Sequence, residues 1–206
     1  MRYVKQTIMR FSVVLSFLFL SSLAYGQTHK DSVLAFQKEQ NAFYADPNKT
    51  PLLAEDLKAF EGHPFFEPNE TFRGKAKFER VENALPFFMK TNTDRLPKYQ
   101  LYGVATFEIN GESFQLSLYQ RLFFGKVAKD TNQLFLPFTD LTNGHGTYDG
   151  GRFINIEIPL GDTVVIDFNR AYNPYCAYNP IYSCPIPPKE NHLEIAILAG
   201  VQYGGH

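Results

Sequence analysis

The sequence predicts a β-rich α+β fold, in which short N-terminal helices pack on a mainly antiparallel barrel or sandwich. Apolar residues alternate with charged residues between positions 72 and 79, which is the period of a strand with one solvent-facing side. Asn110-Gly111 separates two more alternating runs, and this dipeptide favours the positive φ angles of a two-residue hairpin turn. We therefore expect a hairpin over residues 99–120, whereas the residues before position 62 carry helix signals.

Two short helices are predicted ahead of the strands. Asp31 can cap a helix over residues 33–45, which Asp46-Pro47-Asn48 then ends. Thr50-Pro51 begins a second helix, with Gly62 placed as its terminator. We expect these helices to cover part of the sheet.

The remaining strands are predicted in the second half of the chain, near residues 122–128, 133–137, 152–157, 163–168 and 193–199. No Gly/Ser-rich or Pro/Thr-rich linker interrupts residues 27–206. We therefore expect residues 27–206 to form a single domain, a length that can enclose a sizeable core.

The first 26 residues have the organisation of a signal peptide. Arg2, Lys5 and Arg10 precede an apolar stretch at residues 11–20, and Ala24-Tyr25-Gly26 resembles a small-residue cleavage site. The apolar stretch is shorter than the roughly 20 residues of an ordinary membrane-spanning helix. We expect an exported protein, periplasmic or secreted, with no membrane association after cleavage; an uncleaved anchor is the alternative.

The charge of the chain excludes some partners. The net charge is −1, and removal of the three basic residues of the signal leaves −4. This balance predicts neither nucleic-acid nor anionic-lipid binding. The chain has 20 Phe and 12 Tyr but no Trp, a composition that suits either a pleated core or an apolar pocket.

Cys176 and Cys184 are the two cysteines of the chain, and in an exported protein they favour a disulfide. Seven residues separate them, and an intervening Asn-Pro can turn the chain back on itself. A two-cysteine metal site and free thiols are the alternatives.

The glycine-rich segment at residues 140–151 does not have the context of a nucleotide site. Such sites need a helix after the glycines, whereas the residues that follow here form a strand pattern. A hairpin loop or a loop at the rim of a ligand cleft is expected instead. The histidines, including His145 and His192, lack metal-ligand spacing, and no metal or cofactor is predicted. No G-x-S-x-G motif occurs, so the sequence does not predict a serine nucleophile.

The run from 167 to 191 is the most unusual part of the sequence, because five prolines and both cysteines exclude a regular helix or an inner strand. Asp167, Asn169, Arg170, Tyr172 and Asn173 place a carboxylate, amides, a guanidinium and a phenol within seven residues. The amides can satisfy backbone groups, while Asp167 pairs with an arginine, either Arg152 or Arg170. Alternatively, these groups converge on a sugar or a carboxylate-bearing ligand.

Two blocks of the sequence resemble the bacterial and archaeal domain of unknown function 1684. The first is D-x-T-x-G-x-x-T-Y-x-G-G-R at residues 140–152, and the second is D-F-N-x-A-Y-N-P-x-C-A-Y at residues 167–178, followed by C-P-x-P-P-x-E-N at 184–191. The resemblance implies no activity, and His145 falls on an open position of the pattern. It raises the interest of the polar residues at the fixed positions, namely Tyr148, Arg152, Asp167, Asn169, Tyr172, Asn173, Glu190 and Asn191. Cysteines at both pattern positions suit a disulfide.

These observations lead to three functional hypotheses. The first is an exported domain that binds a small molecule or glycan in a pocket at the 140–152 and 167–191 loops. The second is a hydrolase-like enzyme that uses Asp167 or Glu190 as a base, with Arg152 and Asn173 holding an anionic substrate. The third is a structural or interaction module of the cell envelope. A single concave pocket that contained Arg152, Asp167, Tyr172 and Glu190 would favour the first two.

Overall fold

The structure is a computed structural model, which describes residues 28–123, 126–127 and 132–204. The predicted signal peptide at residues 1–26 lies outside the described residues, as does part of the strand predicted near 122–128. The described helices are α1 (His29–Ala45) and α2 (Ala54–Ala59). The described strands are β1 (Arg73–Arg80), β2 (Phe87–Phe88), β3 (Lys98–Ile109), β4 (Glu112–Phe123), β5 (Lys126–Val127), β6 (Gln133–Asp140), β7 (Arg152–Glu157), β8 (Thr163–Asp167) and β9 (His192–Leu193). Within these ranges no helix is both long and apolar enough to cross a membrane.

The strands confirm the predicted fold class. They form one curled sheet in the order β7-β6-β4-β3-β1-β8, and each neighbouring pair is antiparallel. The sheet is therefore an incomplete barrel rather than a sandwich of two sheets. Helix α1 precedes the strands in the chain. The short strand β9 adds to β6 in parallel.

The hairpin predicted over residues 99–120 is confirmed as β3 and β4. Ile109 pairs with Glu112, and Asn110 and Gly111 between them have φ angles of 53° and 84°. Both turn residues thus have the positive φ of the hairpin turn that Asn-Gly favours. The register of the β3–β4 pairing shifts between Leu101 and Gly103. Position 103 requires glycine, because a Cβ there would clash with the ring of Phe78.

Helix α1 begins earlier than the sequence predicted. Thr28, not Asp31, is the N-cap: its Oγ1 accepts from the Asp31 amide at 3.1 Å, and its own amide donates to Asp31 Oδ2 at 3.2 Å. This reciprocal capping box places Asp31 at the third helical position. The second helix is shorter than predicted, because it begins at Ala54 instead of near Thr50-Pro51.

The strand predicted at 193–199 is wrong beyond Leu193. The segment enters the core, where Ile197 and Ala199 are fully buried. Its carbonyls do not pair with a strand, because the guanidinium of Arg152 donates to those of Ile197 (3.0 Å) and Ala199 (2.5 Å). A side chain thus replaces the hydrogen bonds of a sheet ladder.

The main hydrophobic core lies on the concave side of the curled sheet. Apolar side chains from seven strands and from the C-terminal segment meet there, including those of Leu116, Leu136, Phe138 and Ile166. A smaller cluster joins the helices to the segment after β8, through Tyr44, Leu52, Ala177 and Tyr178. The helices therefore pack on the 167–191 run, and neither helix contributes a residue to the main core of the sheet.

Candidate functional site

The two end strands of the sheet, β7 and β8, lie on opposite sides of a gap. Residues 158–162 connect the strands, and the structure shows no ladder between them over the ranges it describes. A cleft of about 900 Å³ occupies this gap. Both strands line it, and the first turn of α1 contributes Thr28, His29 and Ser32.

Backbone groups of both strand edges face this cleft. Phe153 exchanges two backbone hydrogen bonds with Tyr172 (2.9 and 3.0 Å), so its amide and carbonyl point away from β6. Asn155 and Glu157 share this orientation, because backbone direction alternates along a strand. On β8, the carbonyl of Asp162 accepts from β1 at 2.7 Å, and the odd-numbered residues that follow therefore turn towards the cleft.

Asp167 lies at one end of the cleft and is held by several partners. Its Oδ1 accepts from the backbone amide (3.1 Å) and side-chain amide (2.8 Å) of Asn169. Its Oδ2 is 2.9 Å from His29 Nε2, and both side chains are only 10% exposed. The Nε atoms of Arg170 and Arg73 lie 3.8 and 3.9 Å from the same oxygen. The carboxylate is therefore fixed in position by neighbours on three segments of the chain.

The formal charges at the cleft are balanced. Two guanidinium groups, of Arg73 and Arg170, line it together with two carboxylates, of Asp167 and Glu157. Both arginine side chains are 45% exposed, so they are accessible to a ligand. A wall with equal numbers of positive and negative side chains suits a neutral polar ligand better than a polyanion.

A second cavity of about 420 Å³ adjoins the first, and four of its eight lining residues are aromatic. Phe43 and Tyr175 are stacked with their centroids 6.3 Å apart, and Arg170 lies 5.7 Å above the ring of Phe36. Tyr172 donates its hydroxyl to Asn155 Oδ1 at 3.0 Å. Burial raises the pKa of Tyr172.

The two cavities share Asn155 and Arg170. Together they form one depression, polar around Asp167 and aromatic around Tyr172 and Tyr175. We call this depression the groove, and define it by the residues that line either cavity: 28, 29, 32, 36, 40, 43, 73, 133, 154–161, 163–165, 167, 170, 172 and 175.

Arg152 does not line the groove. Its side chain is completely buried, and Nη2 is 2.8 Å from Oδ2 of the equally buried Asp140. Burial lowers the pKa of Arg152, while the charge of Asp140 and its hydrogen bond act in the opposite direction. The predicted pairing of Asp167 with an arginine therefore involves Arg170, and Arg152 instead joins the glycine-rich loop to the C-terminal segment.

Glu190 and Asn191 attach their own segment to the sheet. Glu190 accepts from the Tyr119 hydroxyl at 2.9 Å. Asn191 is fully buried, exchanges two hydrogen bonds with the backbone of Ser117 and donates a third to the carbonyl of Pro137. Neither residue lines the groove, so Arg152, Asp167, Tyr172 and Glu190 do not share one pocket.

Asn173 and Tyr148 also lie away from the groove. Asn173 is buried and donates to the Tyr178 hydroxyl at 2.8 Å. The ring of Tyr148 packs on Tyr203, with centroids 5.3 Å apart, and its hydroxyl is 4.0 Å from Cys176 Sγ.

Cys176 and Cys184 are neighbours, with both present as thiols in this structure. The Cys176 amide lies 3.3 Å from Cys184 Sγ. The hydrogen bond from the Cys176 thiol lowers the pKa of Cys184 to about 7, whereas the same bond and burial raise the pKa of Cys176. The fold thus brings the two cysteines together and makes Cys184 the more acidic of the pair.

A family model described as "Protein of unknown function (DUF1684)" matches residues 58–202. The chain belongs to this family. It is also similar to the solution NMR structure of an uncharacterized protein from gene locus rrnAC0354 of Haloarcula marismortui. The two are 33% identical, the match covers 84% of this chain and 92% of that one, and the TM-score is 0.66. Comparison with curated proteins finds no match.

The DUF1684 sequence blocks serve two different purposes in this member of the family. The block at 140–152 supplies the buried Asp140–Arg152 pair, while the start of the second block supplies Asp167 and Tyr172 to the groove. Helix α1 also lines the groove, and it precedes the residues matched by the DUF1684 model.

No local sequence pattern marks several of the groove residues. His29 and Phe36 lie in α1, and Arg73 begins β1, far along the chain from the 167–191 run. Arg170 and Tyr175 lie within the 167–191 run, so the sequence shows that this run contains a charged and an aromatic side chain. Their shared location with Asn155 follows from the curl of the sheet, which no local pattern encodes.

Proposed function

We propose that this protein is an exported binding domain whose ligand, a small polar molecule or glycan, lies in the groove. The observation that carries the proposal is the sharing of Asn155 and Arg170 by a polar and an aromatic cavity. The cavities measure about 900 and 420 Å³, and each lies within the range of a typical ligand pocket, about 300–1,000 Å³.

The chemistry of the groove fits a sugar. Hydroxyl groups both donate and accept, and Asp167, Arg170 and Asn155 offer a carboxylate, a guanidinium and an amide. The outward backbone groups of β7 add further donors and acceptors. Tyr175, whose side chain is partly exposed, offers an aromatic face for the apolar side of a pyranose ring.

Export completes the proposal, supported by the signal-peptide pattern of residues 1–26 and by the cysteine pair. In an oxidising compartment Cys176 and Cys184 form a disulfide, because thiolate at Cys184 is the species that reacts. The bond closes a short ring directly after the Tyr172 and Tyr175 part of the groove, and so stiffens one of its walls.

NMR titration of the ¹⁵N-labelled chain with chitotriose, maltotriose and trigalacturonate tests the binding function. We expect at least one neutral oligosaccharide to shift amide resonances of the groove, and to bind more tightly than trigalacturonate because the charges there are balanced. Tyr175→Ala is expected to weaken binding about 3- to 10-fold through loss of the aromatic contact.

Matched controls are available outside the groove. Phe88 is 62% exposed and lines neither cavity, so Phe88→Ala should leave the affinity unchanged. Arg121→Gln is the corresponding control for Arg170→Gln. Equal weakening by groove and control variants, or shifts confined to another surface, would refute the proposal.

A hydrolase is the second candidate, and the contact between His29 Nε2 and Asp167 Oδ2 favours it. A carboxylate that orients one imidazole nitrogen leaves the other, Nδ1, to act as a base. Chromogenic esters, phosphates and glycosides of p-nitrophenol provide the assay. Turnover that His29→Gln removes and Arg121→Gln preserves would favour catalysis over binding alone; turnover unchanged in His29→Gln would exclude this pair as the catalytic group.

A further inference from the structure

The two strands that border the polar part of the groove present unpaired backbone groups to it. On β7, Asn155 and Glu157 direct their amides and carbonyls away from β6, and on β8, Thr163 and Val165 direct theirs away from β1. Over the ranges that the structure describes, no protein group bonds to these amides and carbonyls. All four residues line the cleft of about 900 Å³. The cleft therefore has the free donors and acceptors of two sheet edges.

The chemical group that matches a strand edge is another amide. A secondary amide carries an N–H and a C=O in a fixed trans geometry, and an added strand binds a sheet edge through these two groups. A hydroxyl has its donor and its acceptor on a single oxygen atom, so it does not match this spacing. A ligand that contains an amide therefore uses the two edges better than a ligand with hydroxyls alone.

The unpaired part of each edge is short. Asp167, in contact with His29, lies at one end of the cleft, and residues 158–162 join the two strands at the other. Between these ends each strand has two outward residues, which span about 7 Å at the usual rise of a strand. A peptide strand that ran through the cleft would need edges that are open at both ends. The short edges instead suit a single amide group carried by a compact ligand.

Apolar side chains lie beside these backbone groups. Val165 is 44% exposed and Leu160 is fully exposed, and both line the cleft. A methyl group of a ligand can pack on them and leave water. Because the charged side chains of the cleft are balanced, an uncharged ligand is favoured. An acetamido group combines an amide and a methyl group without a charge.

We propose that the glycan bound by the groove is N-acetylated, and that its acetamido group lies between the edges of β7 and β8. The acetamido N–H donates to an outward carbonyl of one strand, and the acetamido oxygen accepts from an outward amide. The sugar ring then extends towards Tyr175 in the adjoining cavity. The proposal rests on the proposed function, because it concerns the same groove, and it adds the class of sugar that the groove selects.

Chitotriose and cellotriose provide the first test, because they have the same pyranose rings and the same linkage. They differ only in that each ring of chitotriose carries an acetamido group where cellotriose carries a hydroxyl. In NMR titrations of the ¹⁵N-labelled chain, we expect chitotriose to bind in the groove about 10-fold more tightly, as two added hydrogen bonds and a buried methyl group imply.

The outcomes of this titration separate the two proposals. Equal affinities of chitotriose and cellotriose in the groove would overturn the acetamido proposal and leave the proposed function standing. Absence of any oligosaccharide from the groove would overturn both. Acetyl-trialanine amide is the peptide control, and tighter binding of this peptide than of chitotriose would show that the edges select a peptide and would overturn the acetamido proposal.

Hydrogen exchange of the wild-type chain reports on the backbone groups directly. Compared with cellotriose at the same saturation, chitotriose should slow the exchange of at least one of the four outward amides by about 3-fold or more. The amides of Ile156 and Ile166 bond within the sheet and should respond equally to the two ligands. Equal exchange of all four outward amides with both ligands would overturn the proposal.

Proline substitution removes an outward N–H without breaking the ladder on the other side of the strand. Val165→Pro and Val165→Ala both lose the isopropyl group, but only the proline variant loses the amide donor; Glu157→Pro and Glu157→Ala form the same pair on β7. At least one proline variant should bind chitotriose about 2- to 10-fold more weakly than its alanine counterpart, with cellotriose affinity within about 2-fold. Unchanged chitotriose affinity in both folded proline variants would overturn the proposal, and if neither variant folds, the exchange rates of the wild type decide it.

Discussion

At the scale of single residues, Arg152 shows how a polar side chain of the family pattern holds the molecule together. Its guanidinium pairs with Asp140 and donates to the carbonyls of Ile197 and Ala199, all within the protein interior. Two buried charges are tolerated because each is paired and hydrogen-bonded. Removing one partner leaves the other charge without compensation.

We therefore expect Arg152→Met to lower the free energy of unfolding by about 3–5 kcal/mol. Arg121→Met, at an exposed position, should change it by less than about 0.5 kcal/mol. Urea denaturation measured by circular dichroism gives both values. A loss below about 1 kcal/mol for Arg152→Met would show that the buried pair contributes little to stability.

The residue scale also shows why site residues were hard to assign from the sequence. Arg152 and Asp167 stand in similar motif blocks, yet one is completely buried and the other lines an open cleft. A guanidinium or carboxylate uses the same hydrogen bonds for a ligand and for backbone carbonyls. Both side chains are largely buried, and the two roles differ in whether the side chain borders a cavity, which contacts distant in sequence determine.

At the scale of elements, predictions were correct where the structure depends on neighbouring residues, and wrong where it depends on hydrogen bonds from residues distant in sequence. The β3–β4 hairpin followed from Asn110-Gly111, because its turn conformation depends on those two residues. The strand expected at 193–199 fails after Leu193, since its carbonyls are bound by Arg152, more than forty positions earlier. No periodicity of the segment itself contains that information.

The 167–191 run is the element whose covalent state most affects its rigidity. We expect Cys176 and Cys184 of the exported protein to be oxidised, so that a free-thiol titration under denaturing conditions finds no reactive thiol. The bond should stabilise the protein by roughly 2–3 kcal/mol, because it closes a short ring in the unfolded chain. Cys176→Ser with Cys184→Ser removes the bond and gives the control for the stability measurement; two titratable thiols in the exported protein would contradict the prediction.

At the scale of the whole molecule, the incomplete closure of the sheet creates the groove. β7 and β8 are the end strands, and the first turn of α1 brings His29 to Asp167 at the end of the gap between them. The sequence predicted most of the strands and proposed Asp167 and Tyr172 as site residues, and both line the groove. It did not predict that residues from 28 to 175 would meet, because this convergence depends on how far the sheet curls.

Native mass spectrometry of the protein isolated from the cell envelope of its own host tests the central claim most directly. We expect a polypeptide mass that begins at Gln27, accompanied by a second species that carries a small polar molecule or oligosaccharide. The double variant Arg170→Gln/Tyr175→Ala should lose that species, and Arg121→Gln/Phe88→Ala should retain it. A polypeptide without any bound molecule, or a bound molecule that the groove variant retains in full, would contradict the account.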